Sequence, residues 1–251
     1  MNLKDRIAIV TGAAYGIGFA TAERFCAEGA TVVLADIRGH EAAAERLRSA
    51  GHAAHAITAD VTSDESVAAL VDEVVKRFGT VHVLVNNAAI SAELHPGPFE
   101  EQDPATWKRI YDVNVIGTFR MCRAVSPHMR AQRWGRIVNI ASGTAFKGSP
   151  GMLHYIASKG AILSMTRSLA TEIGPDNVLC NAVSPGFTMT ESVRGSAHVT
   201  DAFAPMAIAT RAIKREAVAV DVANAIYFFA STDSGFVTGQ TMAADGGSVF
   251  H

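Results

Sequence analysis

The chain has 251 residues, 49% of them hydrophobic and 18% charged, which excludes a disordered protein and allows one large α/β domain. The net charge is −2 without a basic tract, and no apolar run reaches the ~18 residues of a membrane helix, so we expect neither nucleic-acid nor membrane binding. The N-terminus enters a strand pattern with no room for a signal peptide, and the three cysteines are scattered, so we expect a cytoplasmic protein.

Apolar runs alternate with helical patterns along the chain. In chain order the sequence predicts strand Arg6–Val10, helix Ile17–Glu28, strand Thr31–Ala35, helix Glu41–Ser49, strand Ala53–Ala59, a helix from the capping box Thr62-x-x-Glu65 to Phe78, strand Val81–Val85, a long helix from Asp103-Pro104 to Arg130, strand Arg136–Ala141, helix Met152–Ile173, strand Val178–Val183, helix Ala217–Ala230 and strand Gln240–Ala244. Continuously apolar strands alternating with helices indicate a parallel sheet covered on both faces. We predict a single domain over residues 1–251, with a doubly wound parallel sheet of Rossmann type.

A glycine-rich turn, residues 12–18, lies between the first predicted strand and the first predicted helix. Its glycines are Gly12, Gly16 and Gly18, spaced G-x-x-x-G-x-G rather than G-x-G-x-x-G. Such a turn lets a pyrophosphate approach backbone N–H groups at a helix N-terminus. Because the turn follows the first strand directly, it predicts a dinucleotide site.

Polar residues end the next strands. Asp36 ends the second, where a carboxylate accepts hydrogen bonds from ribose hydroxyls and repels a 2′-phosphate, which favours NAD over NADP. Arg38 weakens that preference, since a guanidinium binds phosphate. Asp60-Val61 and Asn86-Asn87-Ala88-Ala89 end the third and fourth strands, whose carboxyl ends meet the same crevice.

Ser142, Tyr155 and Lys159 combine a hydroxyl, a phenol and an amine. Tyr155 and Lys159 are four residues apart, so they share one face of a helix. A free tyrosine has a pKa of about 10, and a nearby ammonium favours the phenolate and lowers that pKa. The pair therefore suits moving a proton on or off an alcohol oxygen.

These motifs, together with Asn114, stand in the order found in the short-chain dehydrogenase/reductase family. The chain resembles that family from Leu3 to about Gly247, and its texture is similar to bacterial secondary-alcohol and aryl-alcohol dehydrogenases. The resemblance implies a seven-stranded parallel sheet flanked by helices, a nicotinamide cofactor and a homotetramer. Ala89 departs from the family's usual glycine. Tyr15 and Ile37 replace the basic residues seen there in many NADP-preferring relatives, which agrees with NAD.

The resemblance also implies roles for individual residues. Tyr155 is the general acid/base, Lys159 binds the nicotinamide ribose and lowers the pKa of Tyr155, Ser142 holds the substrate oxygen, and Asn114 anchors a water in a proton relay. Pro185-Gly186 and Thr188 resemble the segment that grips the nicotinamide carboxamide. The predicted cofactor-binding residues are Gly12, Tyr15, Gly16, Ile17, Gly18, Asp36, Ile37, Asp60, Val61, Asn87, Ala88, Ala89, Tyr155, Lys159, Pro185, Gly186 and Thr188.

The segment Phe187–Glu216 has no strand pattern, and a long irregular segment in a compact domain often covers a substrate site. We expect residues 187–216 to be a substrate-binding lid. Apolar side chains here and before Tyr155 favour an apolar ketone or secondary alcohol, although packing on the core explains them equally; they are Phe187, Met189, Val193, Phe203, Met206, Ile208, Ala145, Phe146, Met152 and Leu153.

The function predicted is therefore NAD-dependent interconversion of a secondary alcohol and a ketone, with a small-molecule substrate. A 3-oxoacyl-thioester reductase shares every motif, and Arg194, Lys214 and Arg215 are cations that an acyl-carrier partner would meet. A non-catalytic NAD-binding redox sensor would be expected to lack Tyr155 or Lys159. The nine histidines include one close pair, His52-x-x-His55, without an H-E-x-x-H motif, so we expect no metal site.

Overall fold

The computed structural model describes residues 2–91, 96–195 and 197–250, with their side chains except those of residue 192 and residues 197–203. These residues form nine strands, in chain order β1 (Ile7–Thr11), β2 (Thr31–Asp36), β3 (Ala54–Thr58), β4 (Val83–Asn86), β5 (Gly135–Ile140), β6 (Val178–Pro185), β7 (Thr188–Met189), β8 (Ala217–Val218) and β9 (Thr241–Ala244). Their α-helices are α1 (Gly16–Ala27), α2 (His40–Ser49), α3 (Asp64–Phe78), α4 (Pro104–Tyr111), α5 (Thr118–Ala131), α6 (Thr144–Lys147), α7 (Leu153–Ile173), α8 (Glu191–Arg194), α9 (Ala197–Thr210) and α10 (Ala219–Ala230). None of the described helices is long and apolar enough to cross a membrane.

Seven of the strands form one parallel sheet in the order β3-β2-β1-β4-β5-β6-β9, which confirms the predicted fold. Helices α1, α2 and α10 pack on one face, and α3, α5 and α7 pack on the other. Because β1 and β4 are neighbours, the order of the strands along the chain switches between them. In sheets of this kind the carboxyl ends of the strands on either side of such a switch leave a crevice, and the predicted site residues follow those ends.

The segment Phe187–Glu216 is more regular than the sequence predicts. It contains the strand β7, the short helix α8 and the helix α9, and β7 pairs in parallel with β8 as a separate two-stranded sheet. The expectation of a segment without a strand was therefore wrong. The periodicity was hidden because α9 carries Pro205 inside it and β7 is only two residues long.

The long helix predicted from Asp103-Pro104 to Arg130 is not continuous α-helix. Asp103 caps α4 as predicted, accepting a hydrogen bond from the backbone N–H of Thr106. Between α4 and α5 the chain forms a π-helical segment, Asp112–Gly117, which contains Asn114. A π-helical turn inside an α-helix often marks a functional site.

Two helix starts also differ from the prediction. The hydroxyl of Thr62 donates to Asp60 at 2.7 Å, so Ser63 rather than Thr62 caps α3, accepting from the N–H of Ser66. The last predicted helix begins at Ala219 rather than Ala217, because Ala217 and Val218 pair with β7.

Candidate active site

The glycine turn is built so closely that side chains cannot replace two of its glycines. Gly12 has a φ of +62°, and a Cβ there would lie 2.9 Å from the Cα of Ala88. A Cβ on Gly18 would lie 2.2 Å from the carbonyl oxygen of Gly12. The side-chain amide of Asn87 donates to the carbonyl oxygens of Thr11 and Gly12 at 3.1 and 2.9 Å, tying the end of β4 to the turn.

The backbone N–H groups of this turn offer an anion site at the N-terminus of α1. The N-cap residue Tyr15 makes no side-chain hydrogen bond to the helix. Among the described residues, the N–H groups of Ile17 and Gly18 have no partner, while that of Gly16 donates to the Glu191 carboxylate at 3.1 Å. A helix N-terminus of this kind binds phosphate, so the turn fits the pyrophosphate of a dinucleotide. Glu191 was not predicted.

Asp36 lies beside the same turn at the end of β2. Its carboxylate accepts from the N–H of Ala14 at 3.1 Å and from the N–H of Ile37 at 2.8 Å. These contacts fix the position of a negative charge, and a carboxylate keeps lone pairs for further donors such as ribose hydroxyls. Two further predicted cofactor residues lie next to the residues of this contact: Tyr15 follows Ala14, and Ile37 follows Asp36. They are 50% and 62% exposed.

Asp60 and Val61 lie between β3 and α3, and their contacts differ from those of Asp36. One oxygen of Asp60 accepts from both the N–H and the hydroxyl of Thr62, so this carboxylate shapes its own turn. The side chain of Val61 packs against Gly117, where a Cβ would lie 2.7 Å from its Cγ2. Among the described residues, neither side chain is hydrogen-bonded to the glycine turn, and the place of this pair in the cofactor site stays a prediction.

After β4, the chain is held next to the glycine turn through its backbone N–H groups. The N–H groups of Asn87 and Ala88 both donate to the hydroxyl of Thr11 at 3.1 Å. Ala89 is half-buried beside them. The predicted run of small residues is therefore next to the glycine turn, where its backbone borders the crevice.

Lys159 is 3% exposed, and its ammonium nitrogen donates to the carbonyl oxygen of Ile140 at 2.8 Å. The same nitrogen lies 5.7 Å from the centroid of the Tyr155 ring, so the two side chains share a face of α7 as predicted. Burial lowers the pKa of Lys159 to about 8. At neutral pH the side chain is thus a buried cation with a readily lost proton.

The Tyr155 hydroxyl does not show the low pKa expected from the sequence. Burial raises its pKa, and a hydrogen bond with Ser142 acts in the opposite direction. The ammonium group of Lys159 donates to the Ile140 carbonyl oxygen rather than to the phenol oxygen, so its positive charge alone does not outweigh burial. The chain's own residues therefore leave Tyr155 as a protonated phenol.

Ser142 follows β5 and lies beside Tyr155. Its Oγ is 2.9 Å from the hydroxyl oxygen of Thr144, and the N–H of Thr144 donates to it at 3.3 Å. The nearby backbone is fixed to β6, because the N–H of Gly143 donates to the carbonyl oxygen of Pro185 at 2.9 Å. Thr144, which sequence reasoning missed, therefore positions the Ser142 hydroxyl.

Asn114 is 1% exposed and connects three parts of the site. Its Oδ1 accepts from the N–H of Ile90 at 2.8 Å, and its amide donates to the hydroxyl of Ser158 at 3.1 Å. Ser158 in turn donates to the carbonyl oxygen of Tyr155 at 2.6 Å. The Asn114 side chain thus braces the chain after β4 against α7, and Ser158 is a second residue that the sequence analysis missed.

Pro185, Gly186 and Thr188 border the crevice on the side of β6. The N–H of Gly186 donates to the carbonyl oxygen of Ala244 at 3.1 Å, and a Cβ on Gly186 would lie 2.8 Å from the Cβ of Asp245. The hydroxyl of Thr188 donates to the carbonyl oxygen of Gly186 at 2.9 Å. These contacts fix the turn between β6 and β7.

The apolar residues expected to line a substrate pocket differ in burial. Met189 is buried, and Ala145 and Phe146 pack against the core residues Ile162 and Leu163. Leu153 and Met206 are 45% and 57% exposed. The others with described side chains are partly buried; they are Met152, Phe187, Val193 and Ile208. The side chain of Phe203 lies outside the described residues. Within the described part of the chain, no group of three or more His, Cys, Asp or Glu residues is arranged to hold a metal ion.

Comparison with known proteins agrees with this geometry. A sequence-family model described as enoyl-(acyl carrier protein) reductase, of the short-chain dehydrogenase type, matches residues 12–249. The protein belongs to the short-chain dehydrogenase/reductase family. As a member, it is an oxidoreductase that acts on CH–OH groups of small molecules, and the family uses nicotinamide cofactors.

Individual relatives of this short-chain dehydrogenase/reductase match over nearly their full lengths. Short-chain reductase protein NovJ of Streptomyces niveus is 38% identical over 250 residues, 97% of this chain and 94% of that protein. Cis-4-hydroxycyclohexanecarboxylate dehydrogenase of Sinomonas cyclohexanicum is 39% identical over 244 residues, 97% and 96% of the two chains. The 3-oxoacyl-(acyl-carrier-protein) reductase FabG of Thermotoga maritima is 36% identical over 259 residues, 99% and 100% of the two chains.

Proposed function

We propose that this protein is an NAD-dependent oxidoreductase that interconverts a secondary alcohol and a ketone, with Tyr155 as the general acid/base. The observation that carries the proposal is the cluster of Ser142, Tyr155 and Lys159 at the carboxyl end of β5. It lies on the same edge of the sheet as the glycine turn after β1, with β4 between the two strands. It combines a proton donor and acceptor, a hydroxyl to hold a substrate oxygen, and a buried cation. The non-catalytic redox sensor is disfavoured because this set is complete.

In the direction of oxidation, Tyr155 takes the proton of the substrate hydroxyl while Ser142 hydrogen-bonds the substrate oxygen. The bound oxidised nicotinamide supplies a hydride acceptor and a positive charge. Lys159, 5.7 Å from the Tyr155 ring, adds positive potential as long as it is protonated, and both cations favour the phenolate that burial alone opposes. In the direction of reduction, Tyr155 returns the proton to the carbonyl oxygen. The lowered pKa of Tyr155 is therefore proposed for the complex with the cofactor.

The choice of NAD rests on Asp36. Contacts with the backbone of Ala14 and Ile37 hold its carboxylate in place. A 2′-phosphate at the ribose would meet this fixed negative charge, whereas a ribose hydroxyl would donate to it. Arg38 follows in the chain, and its backbone N–H is directed at the same carboxylate at 3.5 Å.

The cofactor residues proposed are those of the glycine turn, the ends of the second, third and fourth strands and the β6–β7 turn, together with Tyr155 and Lys159 on α7. Ile17 and Gly18 supply N–H groups to the pyrophosphate, and Lys159 binds the nicotinamide ribose. The amide of Asn114 donates to Ile90 and Ser158, whereas its Oδ1 accepts only from the N–H of Ile90 and keeps a second lone pair, through which Asn114 is proposed to anchor the water of a proton relay. Pro185, Gly186 and Thr188 are proposed at the nicotinamide carboxamide.

For the substrate we propose a small, predominantly apolar alcohol or ketone, with residues 187–216 as the substrate-binding segment. The exposure of Leu153 and Met206 supports an apolar ligand, and one relative's name specifies a cyclic alcohol, hydroxycyclohexanecarboxylate. Assembly as a homotetramer and a cytoplasmic location remain predictions.

A 3-oxoacyl-thioester reductase is the second candidate, and the full-length match to FabG favours it. The cations expected to meet an acyl carrier weigh against it. Arg194 pairs with Glu216 at 3.0 Å, and Arg215 binds Asp221 through two hydrogen bonds of 2.7 Å. These acids neutralise the two arginines locally, and Lys214 donates to the carbonyl oxygen of Ala209 rather than to an acid, so one unneutralised cation remains for an acidic carrier.

The test is a screen of cyclic, aromatic and aliphatic secondary alcohols with NAD, and of the matching ketones with NADH, followed by the absorbance of reduced nicotinamide. A 3-oxoacyl thioester is included in the same screen. We expect turnover with at least one apolar alcohol–ketone pair at a higher kcat/KM than with the thioester. Turnover of the thioester alone would establish the second candidate instead, and cofactor binding without turnover of any substrate would refute both.

A further inference from the structure

The N-terminus of α1 is occupied by a carboxylate from a distant part of the chain. The first N–H of this 12-residue helix, that of Gly16, donates to Oε2 of Glu191 at 3.1 Å, across 175 residues of sequence. Tyr15, the N-cap, supplies no side-chain acceptor. Because the N-terminus of a helix carries partial positive charge, Glu191 is held there as an anion would be.

The position of Glu191 follows from the residues around it. Thr190 rests on the glycine turn, since a Cβ on Gly16 would lie 3.3 Å from its Cγ2. Thr190 also begins α8, where its hydroxyl accepts from the N–H of Val193 at 3.4 Å. Arg194, at the other end of this helix, pairs with Glu216. The carboxylate is therefore carried on a short helix that is anchored at its far end.

No cation competes with the turn for this carboxylate. Among the described residues, Glu191 forms no ion pair, and the residue is exposed to solvent. The only hydrogen-bond partner described for its carboxylate is the N–H of Gly16. The carboxylate can consequently leave the turn without breaking any other side-chain contact.

We propose that Glu191 is an internal anion that occupies part of the pyrophosphate site and thereby sets the affinity for the cofactor. One N–H donates to one acceptor at a time at this distance, and a carboxylate repels a phosphate brought next to it. The N–H of Gly16 directly precedes those of Ile17 and Gly18, which are the donors proposed for the pyrophosphate, so we expect a pyrophosphate bound there to repel the Glu191 carboxylate and release it from Gly16. This inference rests on the proposed function, because it takes the glycine turn as the dinucleotide site.

Three ligands distinguish this competition from a general effect on the site. NAD and ADP-ribose contain the pyrophosphate, whereas adenosine contains the adenine and ribose without any phosphate. Equilibrium dissociation constants are measured by titration calorimetry or competition for the wild-type chain and for Glu191→Gln and Glu191→Ala. Glu172→Gln is the matched control, because it removes the same charge from a side chain that is 71% exposed near the far end of α7.

We expect both Glu191 variants to bind NAD and ADP-ribose about threefold to tenfold more tightly than the wild type, from the size of charge effects at helix N-termini. For both Glu191 variants the Kd for adenosine should stay within about twofold of the wild-type value. Each Kd of the Glu172→Gln control should do the same. Unchanged or weaker binding of NAD by the Glu191 variants would overturn the inference while leaving the proposed function intact, as would an equal gain for adenosine. A wild-type chain that binds neither NAD nor ADP-ribose would refute the proposed function and this inference together.

Discussion

Asp36 and Glu191 both accept hydrogen bonds from the glycine turn, yet they belong to very different parts of the molecule. Asp36 ends a central strand, is in register with Thr58 of the neighbouring strand, and binds two backbone N–H groups. Glu191 lies on a four-residue helix, is exposed, and binds one. On the proposals above, the same kind of contact therefore has opposite consequences: the fixed carboxylate of Asp36 is part of the cofactor site, whereas the displaceable carboxylate of Glu191 competes with the cofactor.

The side chains proposed for catalysis, and Ser158 beside them, resemble Asp36 rather than Glu191, because strand ends and the long helix α7 hold them in place. Asn114, Ser158 and Lys159 are buried, and each is hydrogen-bonded to a neighbouring element or to the helix backbone. Removing the reacting group from this fixed part should change the chemistry and leave cofactor binding alone. Substitutions in the substrate-binding segment, residues 187–216, should change substrate binding more than the rate of the chemical step.

The largest effect is expected for Tyr155→Phe. Loss of the phenol oxygen removes the proton acceptor, so kcat for alcohol oxidation should fall by about 10³-fold, within the range for general acid–base groups. The Kd for NAD should stay within about twofold, since the aromatic ring remains. Steady-state kinetics and calorimetric titration measure the two quantities. Tyr227→Phe, on α10, is the matched control, and retained turnover in Tyr155→Phe would remove Tyr155 from the acid/base role.

The next effect concerns stability and the buried Lys159. Its pKa is about 8 in the folded chain and near 10.5 when unfolded, so between these values the unfolded chain binds more protons. The free energy of unfolding of the wild type should therefore rise with pH from 8 to 10.5, relative to Lys159→Met, by on the order of 3 kcal/mol. Below pH 8 the difference between the two should be constant.

Urea denaturation at several pH values measures this difference directly. Lys108→Met, which removes an exposed lysine from α4, is the matched control. A difference between wild type and Lys159→Met that stays flat from pH 8 to 10.5 would show that Lys159 is not a buried, destabilised cation.

Much of the fold follows from local sequence. Parallel strands buried on both faces are rich in apolar residues, which located the five inner strands of the main sheet. The edge strands β3 and β9 are only partly buried, and they too were located from short apolar runs. Asp103 and Pro104 mark the start of α4 because one caps the helix and the other fits its first position. The positions of Gly12 and Gly18 follow in the same way, since each lies where a close backbone approach excludes a side chain.

What could not be predicted depends on tertiary contacts. The π-helical segment has the same apolar pattern as the α-helices around it. Its course is set by Gly117 packing on Val61 and by the bracing contacts of Asn114. The contact between Gly16 and Glu191 joins residues 175 apart, and nothing local in the sequence indicates it. The pKa of Tyr155 was wrongly expected to be low because sequence spacing gives the proximity of Lys159 but not the direction of its ammonium group.

The smallest expected effect concerns the choice of cofactor and distinguishes the role of Asp36 from that of Glu191. Asp36→Asn removes the charge that a 2′-phosphate would meet, so the ratio of kcat/KM for NADPH to that for NADH should rise by about tenfold. Glu191→Gln should change affinity for both cofactors equally and leave that ratio unchanged, because both contain the same pyrophosphate. Steady-state kinetics with one ketone and both cofactors measures the ratio. If the two variants shift it alike, the distinction drawn between Asp36 and Glu191 is wrong.

The proposed choice of cofactor is measured in the unmodified protein, by comparing kcat/KM for NADH and NADPH in the reduction of one apolar ketone. Asp36 is fixed beside the glycine turn, and the Ser142, Tyr155 and Lys159 cluster lies at the end of β5 on the same edge of the sheet. We therefore expect ketone reduction with a preference for NADH of about tenfold or more. Ketone reduction that prefers NADPH would overturn the role given to Asp36.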